Sequence, residues 1–210
     1  MRELILKMSM SIDGFVATTD GGIKWIFETS DAEGKAWTLK TVSDASLHIM
    51  GSRTFQDMAA FWPTSTDVFA ATMNQVPKAV FSRRGAAALG KVTTTMALKD
   101  ARADTGGQKA SVQPGAESWA SAYVASGDLE QEIAKLKAGD GKPIVAHGGA
   151  GFARSLIAKG LVDQYALVIH PIALGAGLPI FSELTAPRKL KIVSSTSFAS
   201  GVIARVCRAA

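Results

Sequence analysis

The chain has 210 residues, a net charge of +5 and an isoelectric point near 9.4. Hydrophobic residues make up 47% and charged residues 20%, as in an ordinary globular domain, and no apolar run reaches the roughly 18 residues that span a bilayer. The single cysteine, Cys207, excludes an intrachain disulfide and a cysteine metal cluster; His48, His147 and His170 are scattered, so no metal is expected.

The N-terminal MRELILKMSMSIDG superficially resembles a signal peptide, but Lys7 breaks its apolar run and Asp13-Gly14 ends it without a small-residue cleavage pattern. It reads instead as the first strand of a cytoplasmic protein, with Leu4, Leu6 and Met8 alternating with Ile5, Lys7 and Ser9. A helix is predicted over 30–43, carrying Trp37 and Leu39 and weakened by Gly34. Short buried strands follow at 45–51 and 78–82, with a short helix at 53–60 between them. Residues 100–118 are polar, small and Gly-rich, and read as the core of an insertion loop at about 86–118 within a single domain. A helix over 127–139 has Leu129, Ile133 and Leu136 on one face, Asp128 as N-cap and Gly139 as stop. A strand at 143–147, a helix ending at Gly160 and a strand at 163–174 come next. Two further strands, 189–198 and 201–209, meet at the turn signal Ser200-Gly201. Strands separated by helices imply a largely parallel sheet with helices on both faces, closed by an antiparallel edge.

The segment KPIVAHGGAGFARSLIAKG (142–160) places three glycines within four positions where a strand hands over to a helix. Glycine admits positive φ and lets another backbone or a ligand approach where a Cβ would collide. The first amides of a helix have no intrahelical acceptor and sit at the positive end of its dipole, so a bare glycine turn there can cradle phosphate. A tight structural turn is the alternative, and the glycines alone do not decide between them. Two more strand ends carry related chemistry: Gly51-Ser52-Arg53-Thr54, and Ser82-Arg83-Arg84. Guanidinium and hydroxyl groups suit a further phosphate monoester. In a parallel sheet these carboxyl ends share one edge, where ligands bind. Three such sites point to an extended polyphosphate ligand.

Together, SMSIDGFVA (9–17), IMGSRTFQDMAAFWP (49–63), PKAVFSR (77–83) and the long run from Pro143 to Phe181 resemble the dihydrofolate reductase-like superfamily. The branch they are most similar to is the reductase domain of bacterial riboflavin biosynthesis. The insertion at about 86–118 is not covered. The resemblance implies a three-layer α/β fold: a mostly parallel, twisted sheet of about eight strands, helices on both faces and an antiparallel C-terminal hairpin. It implies NADPH lying across the strand ends. Gly51 and Thr54 match the turn near the cofactor phosphates, with Ser52 where arginine is usual and Arg53 one position later. Ser82 and Arg83 match the segment that receives the adenosine 2′-phosphate. Gly148, Gly149, Ala150, Gly151 and Phe152 match the diphosphate turn, with an expected cis Gly148–Gly149 peptide. Segment 9–17, ending at Ala17, is expected to line the nicotinamide.

Hydride transfer requires a positioned nicotinamide, an electron-poor carbon and a proton source. Asp13 is the acid of segment 9–17; it orients a substrate amine or caps the Asp13-Gly14 turn, and the frequency of Asp-Gly turns favours the cap. In the resembling dihydrofolate reductases a carboxylate follows a substrate-loop tryptophan, and after Trp25 both Glu28 and Asp31 are candidates. Asp31 equally suits a helix start. Trp25, Phe61 and Trp62 are the aromatic residues expected to wall a planar heterocycle, whereas Trp37 suits a core position. Neither His147 nor His170 is assigned to catalysis. The expected activity is NADPH-dependent reduction of a small heterocycle, similar to 5-amino-6-(5-phosphoribosylamino)uracil reductase, by a homodimer that binds neither nucleic acid nor membrane. Dihydrofolate reduction, non-catalytic NADPH binding and basic nucleic-acid binding are the alternatives. The zinc deaminase signature that often accompanies such a reductase is absent from the sequence.

Overall fold

Leu4, Leu6 and Met8 of the central strand β1 (Leu4–Ser11) enter one core, while Ile5 enters another on the opposite face. A parallel strand buried on both sides reads as a nearly continuous apolar run, which LILKM does with Lys7 as its one interruption. The computed structural model describes residues 1–90 and 94–210. After β1 come α1 (Lys24–Thr29), α2 (Ala32–Ser43), β2 (Leu47–Gly51), α3 (Ser52–Phe61), α4 (Ala70–Gln75), β3 (Lys78–Phe81), α5 (Met96–Asp104), α6 (Glu117–Ala120), β4 (Tyr123–Ala125), α7 (Leu129–Lys137), β5 (Ile144–Ala146), α8 (Ala150–Ala158), β6 (Gln164–His170), β7 (Leu190–Ser197) and β8 (Ile203–Ala209).

The eight strands form one sheet in the order β4-β3-β2-β5-β1-β6-β8-β7. From β4 to β6 the pairings are parallel; β8 joins β6 antiparallel and β7 joins β8 antiparallel at the edge. Ile133 of α7 and Leu156 and Ile157 of α8 cover one face. Val42 of α2, Met73 of α4 and Trp119 of α6 cover the other. This is the expected three-layer α/β architecture with its antiparallel C-terminal hairpin. Among the described residues no helix is long and apolar enough to cross a membrane.

Local chemistry sets several boundaries. Asp128 accepts from the amides of Glu130 and Gln131 as the N-cap of α7, and Asp31 accepts from Gly34 N as the N-cap of α2. The strand expected over 163–174 stops at His170, because Pro171 has no amide to continue the ladder. The segment expected as an insertion loop at 86–118 is corrected further: α5 and the start of α6 lie within it. Thr95 caps α5 by accepting from Leu98 N at 3.1 Å, and Leu98 and Trp119 anchor the segment at 2% and 4% exposure. Residues 91–93 of that segment lie outside the described residues. Helices α1 and α4 are not among the helices expected from the sequence; at six residues each they are too short to display a helical period.

Lys78 begins β3 and is buried, which pushes its ammonium down to about 7. It donates to Asn74 O at 3.2 Å, to Val76 O and to Ser118 Oγ at 2.8 Å, and lies 4.7 Å from the Trp119 ring centroid. It ties α4 to α6 at the amino end of the parallel strands.

Candidate active site

The carboxyl ends of the parallel strands converge on the turn between β5 and α8. Gly51 N, at the end of β2, donates to Gly148 O at 3.1 Å, and His147 N donates to Ile49 O at 3.0 Å. The Gly148–Gly149 peptide is cis, and Gly148 has φ +84°. A Cβ on Gly148 would stand 2.8 Å from Met8 Sδ, one on Gly149 2.8 Å from Thr54 Oγ1, and one on Gly51 3.1 Å from Phe152 Cβ. The glycines are therefore the positions at which β1, α3 and α8 crowd together. Helices α3 and α8 both begin here, behind Gly51 and Gly149, and neither has a side-chain N-cap. Their unpaired first-turn amides and positive dipole ends give this edge the polarity that phosphate requires.

The other expected cofactor residues flank the turn. Ser52 and Thr54 lie in the first turn of α3, and exposed Arg53 sits beside Asp57. Ser82 N donates to Ala125 O at 3.0 Å just past β3, and its Oγ accepts from Arg84 N at 3.1 Å. Arg83 is exposed, with no ion pair among the described residues. Ala17 is buried, its carbonyl accepting from Leu178 N at 2.9 Å, while Val16 N donates to Leu178 O at 3.0 Å. The segment expected beside the nicotinamide is thus clamped to the glycine loop that follows β6.

The three expected acids stand in structural settings and do not converge. Asp13 accepts from Ser11 Oγ at 2.6 Å, Gly175 N at 2.7 Å and Leu174 N at 3.0 Å, which holds its carboxyl below the usual range, the Ser11 bond contributing most. It staples the β1 turn to the 174–177 loop. Glu28 forms an exposed i,i+4 pair with Lys24 at 2.9 Å. Asp31, besides capping α2, accepts from Ser200 N at 2.9 Å and so ties that helix to the C-terminal hairpin; its carboxyl is lowered, chiefly by Gly34 N. Among the expected aromatic residues, Trp25 is buried edge-on to His170, ring centroids 5.3 Å apart. Trp62 instead packs toward Met50, Phe55 and Met73, with Phe61 against its ring at 4.8 Å.

Sequence reasoning missed the basic floor beneath this edge. Lys7 is partly open and has no hydrogen bond or ion pair among the described residues; burial of its surroundings pushes its ammonium down to about 8. His147, on the neighbouring strand end, is held well below the usual imidazole range by burial and by the charges of His48 and Lys7, its ring 4.4 Å from that of His48. Fully buried His170 is pushed down to about 4 by burial and then by Lys7. Nε2 of His147, Nε2 of His170 and Nε1 of Trp25 are buried without a partner. The available signal was Lys7 itself, a cation inside an otherwise apolar central strand. Asp57 was missed too: its carboxyl is raised by burial, Oδ2 accepts from Thr95 Oγ1 at 2.8 Å, and Oδ1 is buried without a partner.

A parallel sheet with this strand order, a cis glycine pair opening a helix and a row of donors along the carboxyl edge defines a dihydrofolate reductase-like domain. More narrowly, the chain belongs to the RibD C-terminal domain family, whose model matches residues 2–204. It is 27% identical over 202 residues to the uncharacterized protein YyaP of Bacillus subtilis, covering 96% of this chain and 92% of that one. Its structure is similar to that of a protein of Shewanella sp. PV-4 assigned to riboflavin biosynthesis, with TM-score 0.69, 18% identity and coverage of 100% and 99%. It is also similar to the Thermotoga maritima diaminohydroxyphosphoribosylaminopyrimidine deaminase/5-amino-6-(5-phosphoribosylamino)uracil reductase, with TM-score 0.66 and 17% identity over all of this chain and 57% of that one.

Because the folded-state pKa of Asp13 is lowered, its contribution to stability is present above the unfolded value of about 3.9 and is lost as pH falls through the folded value. Asp13→Asn is expected to flatten the acid limb of stability against pH below about 4, read from urea midpoints between pH 2.5 and 7.

Proposed function

We propose that the chain is an NADPH-dependent reductase of a small heterocyclic substrate, acting on a reaction like that of 5-amino-6-(5-phosphoribosylamino)uracil reductase. The observation that carries the cofactor half is the joining of two uncapped helix N-termini, those of α3 and α8, at the cis glycine turn. Gly148 through Phe152, with Gly51, Ser52 and Thr54, would hold the diphosphate; Ser82 and Arg83 would receive the 2′-phosphate, with Arg53 alongside. Bound there, NADPH supplies a hydride from C4 of its nicotinamide. Family membership and the activity named for the T. maritima protein support the reductase half.

Lys7 is the proton source in this reading. Its ammonium is partly open, unpaired and lowered to about 8, so it holds a proton at neutral pH and releases it readily. The substrate carbon accepts the hydride while Lys7 Nζ gives its proton to the oxygen or nitrogen of the same double bond. Trp25 walls the ring from the α1 side. Dihydrofolate reduction fits less well, because Glu28 and Asp31 are engaged at the surface and at a helix cap. A homodimer is part of the proposal: β7 is an edge strand with all residues after Leu190 exposed, and Ile192 and Val193 are each 55% exposed.

Four experiments test this reading. Calorimetry is expected to register NADPH binding, and Ser82→Ala with Arg83→Ala to weaken it by roughly 10- to 100-fold while leaving NADH affinity unchanged. No heat and no thermal shift with NADPH would sink the proposal. Lys7→Met is expected to lower turnover by about 10²–10⁴-fold with NADPH affinity retained. In the wild type the rate should decline as pH rises through about 8 and the ammonium is lost; a flat profile there rejects Lys7 as donor. Ile192→Lys should convert a dimer to a monomer in sedimentation equilibrium.

A further inference from the structure

Helix α1 carries Trp25 and Thr29 against His170, yet has no N-cap of its own: Ile23 occupies that position and provides no side-chain acceptor. The cap comes from α5, within the stretch expected as an insertion loop but included in the family match over residues 2–204. Asp100 Oδ2 accepts from Ile23 N at 2.7 Å and from Lys24 N at 3.0 Å. Helix α5 is held to α3 in turn by Thr95 on Asp57 and by Arg102 Nη2, which donates to Ala60 O at 3.5 Å. It therefore bridges the helix bearing Trp25 and the helix bearing Thr54.

At the other end of α1, Thr29 Oγ1 donates to Trp25 O at 2.6 Å, which commits its only proton. Its 2.7 Å contact with His170 Nδ1 must then have the hydroxyl as acceptor and the imidazole as donor. A neutral His170 has one ring proton, and this contact places it on Nδ1. Nε2 is left with a lone pair, buried and unpartnered, on the residue whose titration Lys7 influences.

We propose that Asp100 is a positioning residue: it seats α1 against the sheet, and Thr29 thereby fixes His170 as the Nδ1-protonated tautomer, leaving Nε2 as a buried acceptor in the neighbourhood of Lys7. The inference rests on the reading of Lys7 and the cleft given above. It makes α5 a determinant of the polarity around Lys7, because the Asp100 cap and the Thr29 contact together decide which nitrogen of buried His170 carries the proton.

The test compares Asp100→Leu, Asp100→Asn and Thr29→Val in the full chain. Amide exchange at Ile23 and Lys24 is expected to accelerate at least tenfold in Asp100→Leu and to return to wild type in Asp100→Asn, whose amide oxygen still accepts. In ¹⁵N-histidine spectra His170 should be protonated at Nδ1 in the wild type and Asp100→Asn, and mixed between Nδ1 and Nε2 in Asp100→Leu and Thr29→Val. Reductive methylation of Lys7 with formaldehyde and cyanoborohydride at pH 7.5 should slow severalfold in Asp100→Leu, as the loosened floor hydrates and the ammonium regains its proton. A wild-type His170 protonated at Nε2, or a Thr29→Val tautomer unchanged from wild type, overturns the inference. So does Asp100→Leu with fast α1 exchange but unaltered His170 and Lys7, since Asp100 is then a local cap only. If Asp100→Leu does not fold, the Thr29→Val spectrum decides. NADPH affinity should stay within twofold across the variants. Its absence in the wild type, with the tautomer and exchange results as expected, refutes the proposed function and leaves this positioning role standing.

Discussion

The hydrogen bond from Gly51 N to Gly148 O joins the ends of two parallel strands at the point where each becomes a helix. Everything else at the carboxyl edge follows from that junction. Two helices can begin side by side only if the backbones between them come very close, and side chains larger than hydrogen would strike Met8, Thr54 or Phe152. Glycine at 51, 148 and 149 removes that obstacle. The same closeness leaves two sets of first-turn amides without acceptors, an unfavourable arrangement in a buried apolar setting and a favourable one next to an anion. The turn is thus both a packing solution and an electrostatic device.

Beneath the edge the polarity is basic. The acids expected at the site are engaged elsewhere: Asp13 in a loop staple, Asp31 in a helix cap, Glu28 in a surface pair. Lys7, His147 and His170 occupy the floor instead. Burial destabilises the charged form of all three, so Lys7 keeps a labile proton and the imidazoles remain neutral. A neutral imidazole next to an unpaired ammonium can accept a hydrogen bond without repelling the cation, which two protonated histidines would do.

Helix α5 is linked to that floor through α1, by the Asp100 cap at one end and the Thr29–His170 contact at the other. Its own stability is local, from the Thr95 cap and the burial of Leu98. Its influence is exerted through Asp100, which caps another helix 76 residues earlier in the chain. A six-residue helix is marginal in isolation, because nucleation costs more than so few hydrogen bonds return. The external cap and the Thr29–His170 bond therefore decide where α1 sits, and with it the buried Trp25 ring.

The sequence by itself determined what local rules govern. Strand–helix alternation, the Asp128 and Asp31 caps, the Ser200-Gly201 turn and the glycine-rich turn after β5 were legible because each depends on residues within one or two turns of one another. The boundaries that failed did so for local reasons as well: α1 and α4 are too short for a period, and the polar stretch after α5 masked the helix before it. Only the tertiary structure decided which ionisable groups meet. Lys7, His147 and His170 lie on three strands whose neighbours are set by sheet order, β5-β1-β6, and Asp100 reaches α1 across more than seventy residues. Sequence spacing carries no record of such contacts, because burial and charge act through space, and the ammonium of a lysine in an apolar strand is lowered only once the chain has folded around it.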